Sequence, residues 1–201
     1  MKLYYSPAAC SLSPHIALAE SGLDYTLEKV NLKDHTAQHE GDFYAINPKG
    51  YVPALRLADG TLLTEGPAIV QYIADQAPAA RLAPPNGTLP RYQLQSWLNF
   101  ISTEVHKQFS PLFKADATED AKAAARAQIG KRLDYIAEQL AGKDYLMGEF
   151  SVADGYLYTV LSWGQWTAIE IAQWPALTAF MQRMRARAGV QRALKEEHLL
   201  K

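Results

Sequence analysis

Prolines divide this chain. Residues 77–90 hold Pro78, Pro84, Pro85 and Pro90, with Asn86-Gly87 between them. Fixed φ angles and missing amide donors at such density exclude a long helix or a central strand there. The patterning differs on the two sides. Before the prolines, short β-prone runs alternate with helix-like stretches. From Arg91 onward helix formers dominate and β-branched runs vanish. The chain therefore reads as a small α/β domain over 1–80, a linker over 81–90 and an all-helical domain over 91–201.

Within the first part, Leu3, Tyr4 and Tyr5 form a β-prone run that Pro7 stops. A helix is expected over 11–22, with Ser11 or Ser13 as its cap, Pro14 in its first turn and Gly22 at its end. A second strand is expected over 25–32, a polar loop over 33–41 and one or two helical turns over 42–46. Strands over 54–57 and 61–63 flank Asp59-Gly60, a hairpin signal. A helix over 64–76 follows, capped by Thr64. The order is βαβ, then a loop and turn, then ββα. In the second part Leu94, Trp97, Leu98, Ile101 and Val105 recur at helical spacing. Helices over 118–140, 151–163, 177–187 and 190–197 make about five in all, with no strand. The 151–163 helix is apolar on every side and so belongs at the centre.

Composition excludes several classes of function. Twenty basic and twenty-one acidic residues give a net charge of −1, without the clustered excess of cations that a nucleic-acid surface needs. One cysteine rules out an internal disulfide and a Cys-rich zinc site, and suits a reducing compartment. No apolar run is long enough to cross a membrane. Pro7 and Pro14 break the N-terminal segment, which lacks the apolar core of a signal peptide. A cytoplasmic protein with no metal is expected.

A few residues stand out for chemistry. Cys10 lies where a strand ends and a helix begins. Free N–H groups at a helix start favour a thiolate, although a free cysteine is more often a small buried hydrophobe. Asn99, Thr103 and His106 fall at i, i+4 and i+7, on one helix face, opposite Leu94, Leu98, Ile101 and Val105. Spacing alone reads that stripe as solvated surface. Ser151-Val152-Ala153-Asp154 has the pattern of a capping box, a helix start rather than acid–base machinery. His15 and His39 have no comparable functional support.

These segments resemble the soluble glutathione transferases, and within them the bacterial beta class. Tyr5-Ser6-Pro7 with Cys10, Asn47-Pro48 with Val52-Pro53, Thr64-Glu65-Gly66-Pro67-Ala68-Ile69 and Ser151-Val152-Ala153-Asp154 occur in the family's order. The stretch from Trp97 to Lys107 is similar to the beta-class version of the first long helix. Together they span essentially the whole chain, and the likeness to transferases of aromatic-degradation operons is especially close.

The resemblance implies a thioredoxin-like domain that binds glutathione as co-substrate, and a helical domain with a hydrophobic pocket for an electrophile. It implies that Cys10 lies beside the glutathione sulfur and can form a mixed disulfide with it, while Tyr5 is mainly structural. It implies a cis bond before Pro53, against the usual trans preference, with the Val52 backbone pairing with the cysteinyl part of glutathione. Glu65 and Gly66 would take the γ-glutamyl group at a helix start, Gly66 standing where many members have a hydroxyl. His35 stands where the family has a lysine for the glycyl carboxylate, with Lys33 two residues away. Asn99, Thr103, Glu104, Val105, His106 and Lys107 would border the site, some across a homodimer, with His106 reaching toward the sulfur. Gly155 stands where a larger residue is usual.

The expected reaction is conjugation of glutathione to small aromatic or chlorinated electrophiles, in xenobiotic detoxification. The alternatives are thiol–disulfide reduction or reductive dehalogenation through Cys10, and a non-catalytic interaction module.

Overall fold

The computed structural model describes residues 1–200 and divides into two compact units. The first joins Met1–Ala83 to the chain from Arg187 onward, and the second is Pro84–Ala186. The boundary thus lies close to the prolines, but the final segment leaves the helical domain in which the sequence places it.

The first unit is built on a sheet of β1 (Lys2–Tyr5), β2 (Thr26–Asn31), β3 (Thr36–Ala37), β4 (Gly41–Asp42), β5 (Ala54–Arg56) and β6 (Leu62–Thr64), in the order β4-β3-β2-β1-β5-β6. Strand β1 runs parallel to β2 and antiparallel to β5, with Leu3 opposite both Leu27 and Leu55. Side chains alternate across the pleat. Tyr4 and Ala54 pack with Val30, Phe43 and Val52 on one face, while Leu3 and Leu55 are equally buried on the other. Helices α1 (Leu12–Ser21) and α2 (Gly66–Gln76) complete the thioredoxin-like order.

The segment read as polar loop contains β3 and β4, whose two-residue length gives no period to detect. Val30 pairs with Ala37, and Thr36 with Asp42. The turn expected over 42–46 forms once, through Ile46 and Asn47 N–H bonds to the Phe43 carbonyl. Neither expected cap forms on α1. Ser11 occupies the cap position, but its hydroxyl turns back to bond the Ser6 backbone.

The second unit carries α3 (Leu89–Phe100), α4 (Ser110–Phe113), α5 (Glu119–Gln139), α6 (Val152–Ser162), α7 (Gly164–Thr167) and α8 (Pro175–Ala186). Every residue of α6 from Val152 to Leu161, Gly155 included, is buried, as its all-round apolar sequence predicts. Its start is the expected capping box. Asp154 accepts from the Ser151 N–H at 2.8 Å, the Ser151 hydroxyl at 2.9 Å and the Leu146 N–H at 2.9 Å.

The chain then re-enters the first unit as α9 (Ala188–Glu196), which packs on α1. A Cβ at Gly189 would come within 2.5 Å of the Glu20 side chain, so a glycine lets the two helices approach. Arg187 donates to both Glu20 carboxylate oxygens beside it, at 2.9 and 2.8 Å.

Asp154→Ala leaves two backbone N–H groups and a hydroxyl unpaired inside the helical unit. It should cost about 3 kcal/mol in urea unfolding, against about 1 kcal/mol for Ser151→Ala. Equal losses would mean that the carboxylate is not what anchors the start of α6.

Candidate functional site

The thiol end of the site grows out of β1. After Tyr5 the chain turns through Ala8, whose φ of 61° lies in the left-handed region, and Cys10 follows two residues before α1. The Ser11 hydroxyl ties the loop across, accepting from the Ser6 N–H at 3.1 Å and donating to the Ser6 carbonyl at 3.2 Å. The Cys10 thiol donates to the Val52 carbonyl at 3.2 Å. Val52-Pro53 is a cis bond, matching the expectation from the resemblance. Tyr5 is buried in the sheet, and its hydroxyl is pushed up by burial, then by the charges of Glu197 and Glu196. A phenol held protonated in this way fits a structural part.

A continuous run of residues leads away from Val52. Pro53 abuts the start of α2, where a Cβ built on Gly66 would lie 3.8 Å from the proline ring, so a hydroxyl-bearing side chain fits there. Glu65 occupies the cap position of α2 with a φ of 70°, and no side chain caps the helix. Thr64 ends β6 instead of capping. The Lys49 ammonium donates to Glu65 at 2.7 Å and to the Thr64 hydroxyl at 3.2 Å. Buried Asn47 holds this loop by donating to the Tyr51 carbonyl at 2.8 Å. The Gly50 carbonyl accepts from His35 Nδ1 at 3.2 Å, which leaves Nε2 as the free ring nitrogen. The His35 ring lies 4.4 Å from that of Tyr44. A Cβ on Gly50 would meet the Tyr44 ring at 2.6 Å, so only glycine allows the stack. Lys33 is exposed, with its N–H on Asn31. Cys10, Val52, Gly66, Glu65 and His35 thus belong to one connected surface, with Lys49 and Tyr44 added.

The other predicted residues lie in the helical unit, and their geometry departs from a plain helix. After α3 the backbone widens into a π-turn over Ile101–Val105, with the His106 N–H reaching the Ile101 carbonyl, and then tightens into a 3-10 turn over His106–Phe109. In a regular helix seven residues return to nearly the same direction. The wide turn sets His106 back from that direction. Asn99 and Thr103 are exposed, with the Thr103 hydroxyl bonded to the Asn99 carbonyl at 3.0 Å, whereas His106 turns inward. The three therefore do not share one face. Such wide turns recur at functional sites.

His106 Nδ1 lies 2.7 Å from the Tyr156 hydroxyl, and its ring stands 4.8 Å from that of Trp163. Phe109 and Phe113 contact the same indole edge-on, at 5.5 and 5.6 Å. Burial, then the charge of Lys107, pulls the His106 imidazole down to about 4. It is neutral at neutral pH, able to donate or accept but not to act as a standing cation. Glu104 is taken up by Arg132, at 3.1 and 2.8 Å. Val105 is fully buried and offers no side-chain surface to a ligand, contrary to its place among the expected binding residues. Lys107 is exposed. The sequence reading missed Tyr156, although a hydroxyl inside a wholly buried helix must find a partner.

Comparison with known proteins gives this arrangement a family. Residues 8–76 match the profile of the Glutathione S-transferase, N-terminal domain, and residues 100–188 that of the Glutathione S-transferase, C-terminal domain. The chain belongs to the glutathione S-transferase family. It is 48% identical to Glutathione S-transferase GstA of Escherichia coli O157:H7 over 99% of this chain and all of the relative. A sphingomonad glutathione S-transferase complexed with glutathione is 48% identical, with a TM-score of 0.96 over the whole of both chains. The bacterial beta class glutathione S-transferase of Sphingomonas chungbukensis is 45% identical, with a TM-score of 0.97 over the whole of both. Within the family, the likeness is to the beta class.

The depressed imidazole makes a stability prediction. An unfolded chain protonates histidine near 6.5, whereas folded His106 does so near 4. Between these values the unfolded state binds more protons, so the His106 contribution falls as pH drops from about 6.5 to about 4, by up to ~3 kcal/mol. Asp154, raised to about 6 mainly by burial, runs the opposite way. The readout is therefore the difference between wild type and His106→Gln in urea midpoints over that range. It should narrow or reverse in favour of the variant toward pH 4, and a constant difference would mean that His106 is not buried as described.

Proposed function

We propose that this chain conjugates glutathione to small electrophiles, aromatic or chlorinated ones in particular. The connected surface from Cys10 through Val52 and Gly66 to Glu65 and His35 carries the reading, supported by the sphingomonad relative complexed with glutathione. The Val52 backbone pairs with the cysteinyl unit as an added strand would. The uncapped start of α2 receives the γ-glutamyl carboxylate, and Glu65 takes the ammonium beside it. The free His35 nitrogen faces the glycyl carboxylate. His106 acts on the sulfur as a neutral hydrogen-bonding group held by Tyr156. Asn99, Thr103, Glu104 and Lys107 complete the border of the site. Phe109, Phe113 and Trp163 offer an aromatic wall for the electrophile. Work as a homodimer in the cytoplasm, on xenobiotic electrophiles, completes the proposal.

A second reading rests on one contact. The Cys10 sulfur sits on the Val52 carbonyl, the group that would pair with the cysteinyl unit, so two sulfurs would meet there. A mixed disulfide between Cys10 and glutathione, and reductive chemistry through it, follows naturally.

Chlorodinitrobenzene tests both readings, with wild type and Cys10→Ala assayed side by side. Wild type should conjugate. The variant should keep conjugation within about tenfold, because the attacking sulfur belongs to glutathione, and should form no mixed disulfide. Absence of turnover in wild type would remove the conjugation reading.

Replacing His35 supplies a separate check. Lysine presents a compact ammonium on a longer arm to a carboxylate, so His35→Lys should lower the KM for glutathione about two- to fivefold at pH 8. An unchanged KM at pH 8 would take His35 out of the site.

A further inference from the structure

The turn after α9 reaches the cysteine loop through a carboxylate that the reaction above does not use. Glu197 is 2% exposed. One of its oxygens, Oε2, accepts from the Ala8 N–H at 2.9 Å. The other, Oε1, lies 2.9 Å from Nδ1 of His15, which is fully buried in α1. The far nitrogen of the same ring, Nε2, lies 2.7 Å from Glu196. Glu196 also accepts from the Tyr25 hydroxyl at 2.7 Å and from Arg192 at 2.9 Å. Burial alone would raise its carboxyl, but these donors outweigh burial and hold it at about 2. A buried carboxylate with a donor on each oxygen has one place to be. Ala8 stands in the left-handed region, which costs a residue with a Cβ, two positions before the nucleophilic sulfur.

We propose that Glu197 is a positioning residue for Cys10. It clamps the Ala8 amide against His15 of α1, and so fixes the turn that carries the thiol onto Val52. The proposal rests on the reading of Cys10 as the partner of the glutathione sulfur. The step it serves is exchange with glutathione disulfide. Cys10 gives its thiol proton to water, and its thiolate attacks one sulfur. The old S–S bond breaks, a Cys10–glutathionyl bond forms, and the second glutathione leaves as a thiolate that solvent protonates. That attack needs sulfur, carbonyl and tripeptide in line, whereas general alkylation does not.

The test compares four full-length proteins: wild type, Glu197→Ala, Glu197→Gln and Val190→Ala. Val190 is a fully buried residue of α9, and its truncation loosens the helix without touching Ala8. The readouts are the rate of mixed-disulfide formation with glutathione disulfide, the rate of Cys10 alkylation by iodoacetamide, hydrogen exchange of the peptide containing Ala8, and Tm. Glu197→Ala should slow the disulfide reaction at least about tenfold, change alkylation far less, and speed exchange at Ala8. Glu197→Gln keeps an acceptor oxygen for Ala8 and should restore most of the rate. Val190→Ala should lower Tm and leave the disulfide rate at the wild-type value.

Glu197→Ala reacting like wild type, or Val190→Ala slowed as much as Glu197→Ala, would overturn the positioning role. If wild type forms no mixed disulfide, the reading of Cys10 fails instead. Hydrogen exchange then decides the clamp alone, and unchanged protection of Ala8 in Glu197→Ala would overturn it.

Discussion

Strand β1 has a neighbour along each edge and buried side chains on each face, and the thiol end of the molecule depends on that placement. A strand paired on both sides is held firmly and presents the short loop that follows it at a fixed point. Because β5 is the antiparallel neighbour of β1, the segment entering β5 passes beside the loop leaving β1. Cys10 and Val52, forty-two residues apart in the chain, meet for that reason. The topology brings the thiol to a backbone carbonyl before any side-chain recognition is involved.

Much of this was legible in the sequence, because the signals are local. Pro7, Pro14, Gly22 and Asp59-Gly60 mark ends and turns by their own conformational limits, and the elements fall within a residue or two of where those marks put them. The Ser151–Asp154 box could be read for the same reason. What escaped depends on partners far away in the chain. The two-residue strands β3 and β4 exist because β2 offers an edge, not because of any pattern in 36–42. The π-turn at 101–105 changes the phase of a helix whose apolar spacing looks regular throughout. Leu94, Leu98, Ile101, Val105 and Phe109 are all fully buried, so the core side of that helix gave no warning that its other side had shifted. The reading of α9 as part of the helical domain failed similarly. Its composition is helical, but the hydrogen bonds that dock its two ends run to Glu20 and His15 of α1.

The two candidate catalytic groups sit in opposite settings. Cys10 is half-buried at a helix start, where backbone N–H groups favour negative charge, yet its thiol donates to a carbonyl, a contact that only the protonated form makes. His106 is enclosed by aromatic rings and bonded to a phenol. A neutral imidazole in that enclosure does not attract anions at a distance, but it can offer a single N–H along a fixed direction once its tautomer is set by Tyr156.

Glu65 shows how the proposed recognition surface can be built yet remain exchangeable. Its backbone lies in the left-handed region, an arrangement that persists only where the surroundings enforce it. Here the hairpin into β6 and the start of α2 do so. Its carboxylate is well exposed and meets only the Lys49 ammonium and solvent. An exposed pair of this kind contributes at most about 1 kcal/mol. That is enough to bias the side chain toward the start of α2 and too little to resist a substrate ammonium arriving with further contacts of its own. The strain is carried by the backbone, which stays fixed. The ion pair, which would have to yield to a γ-glutamyl ammonium under the proposed binding, is the weak link.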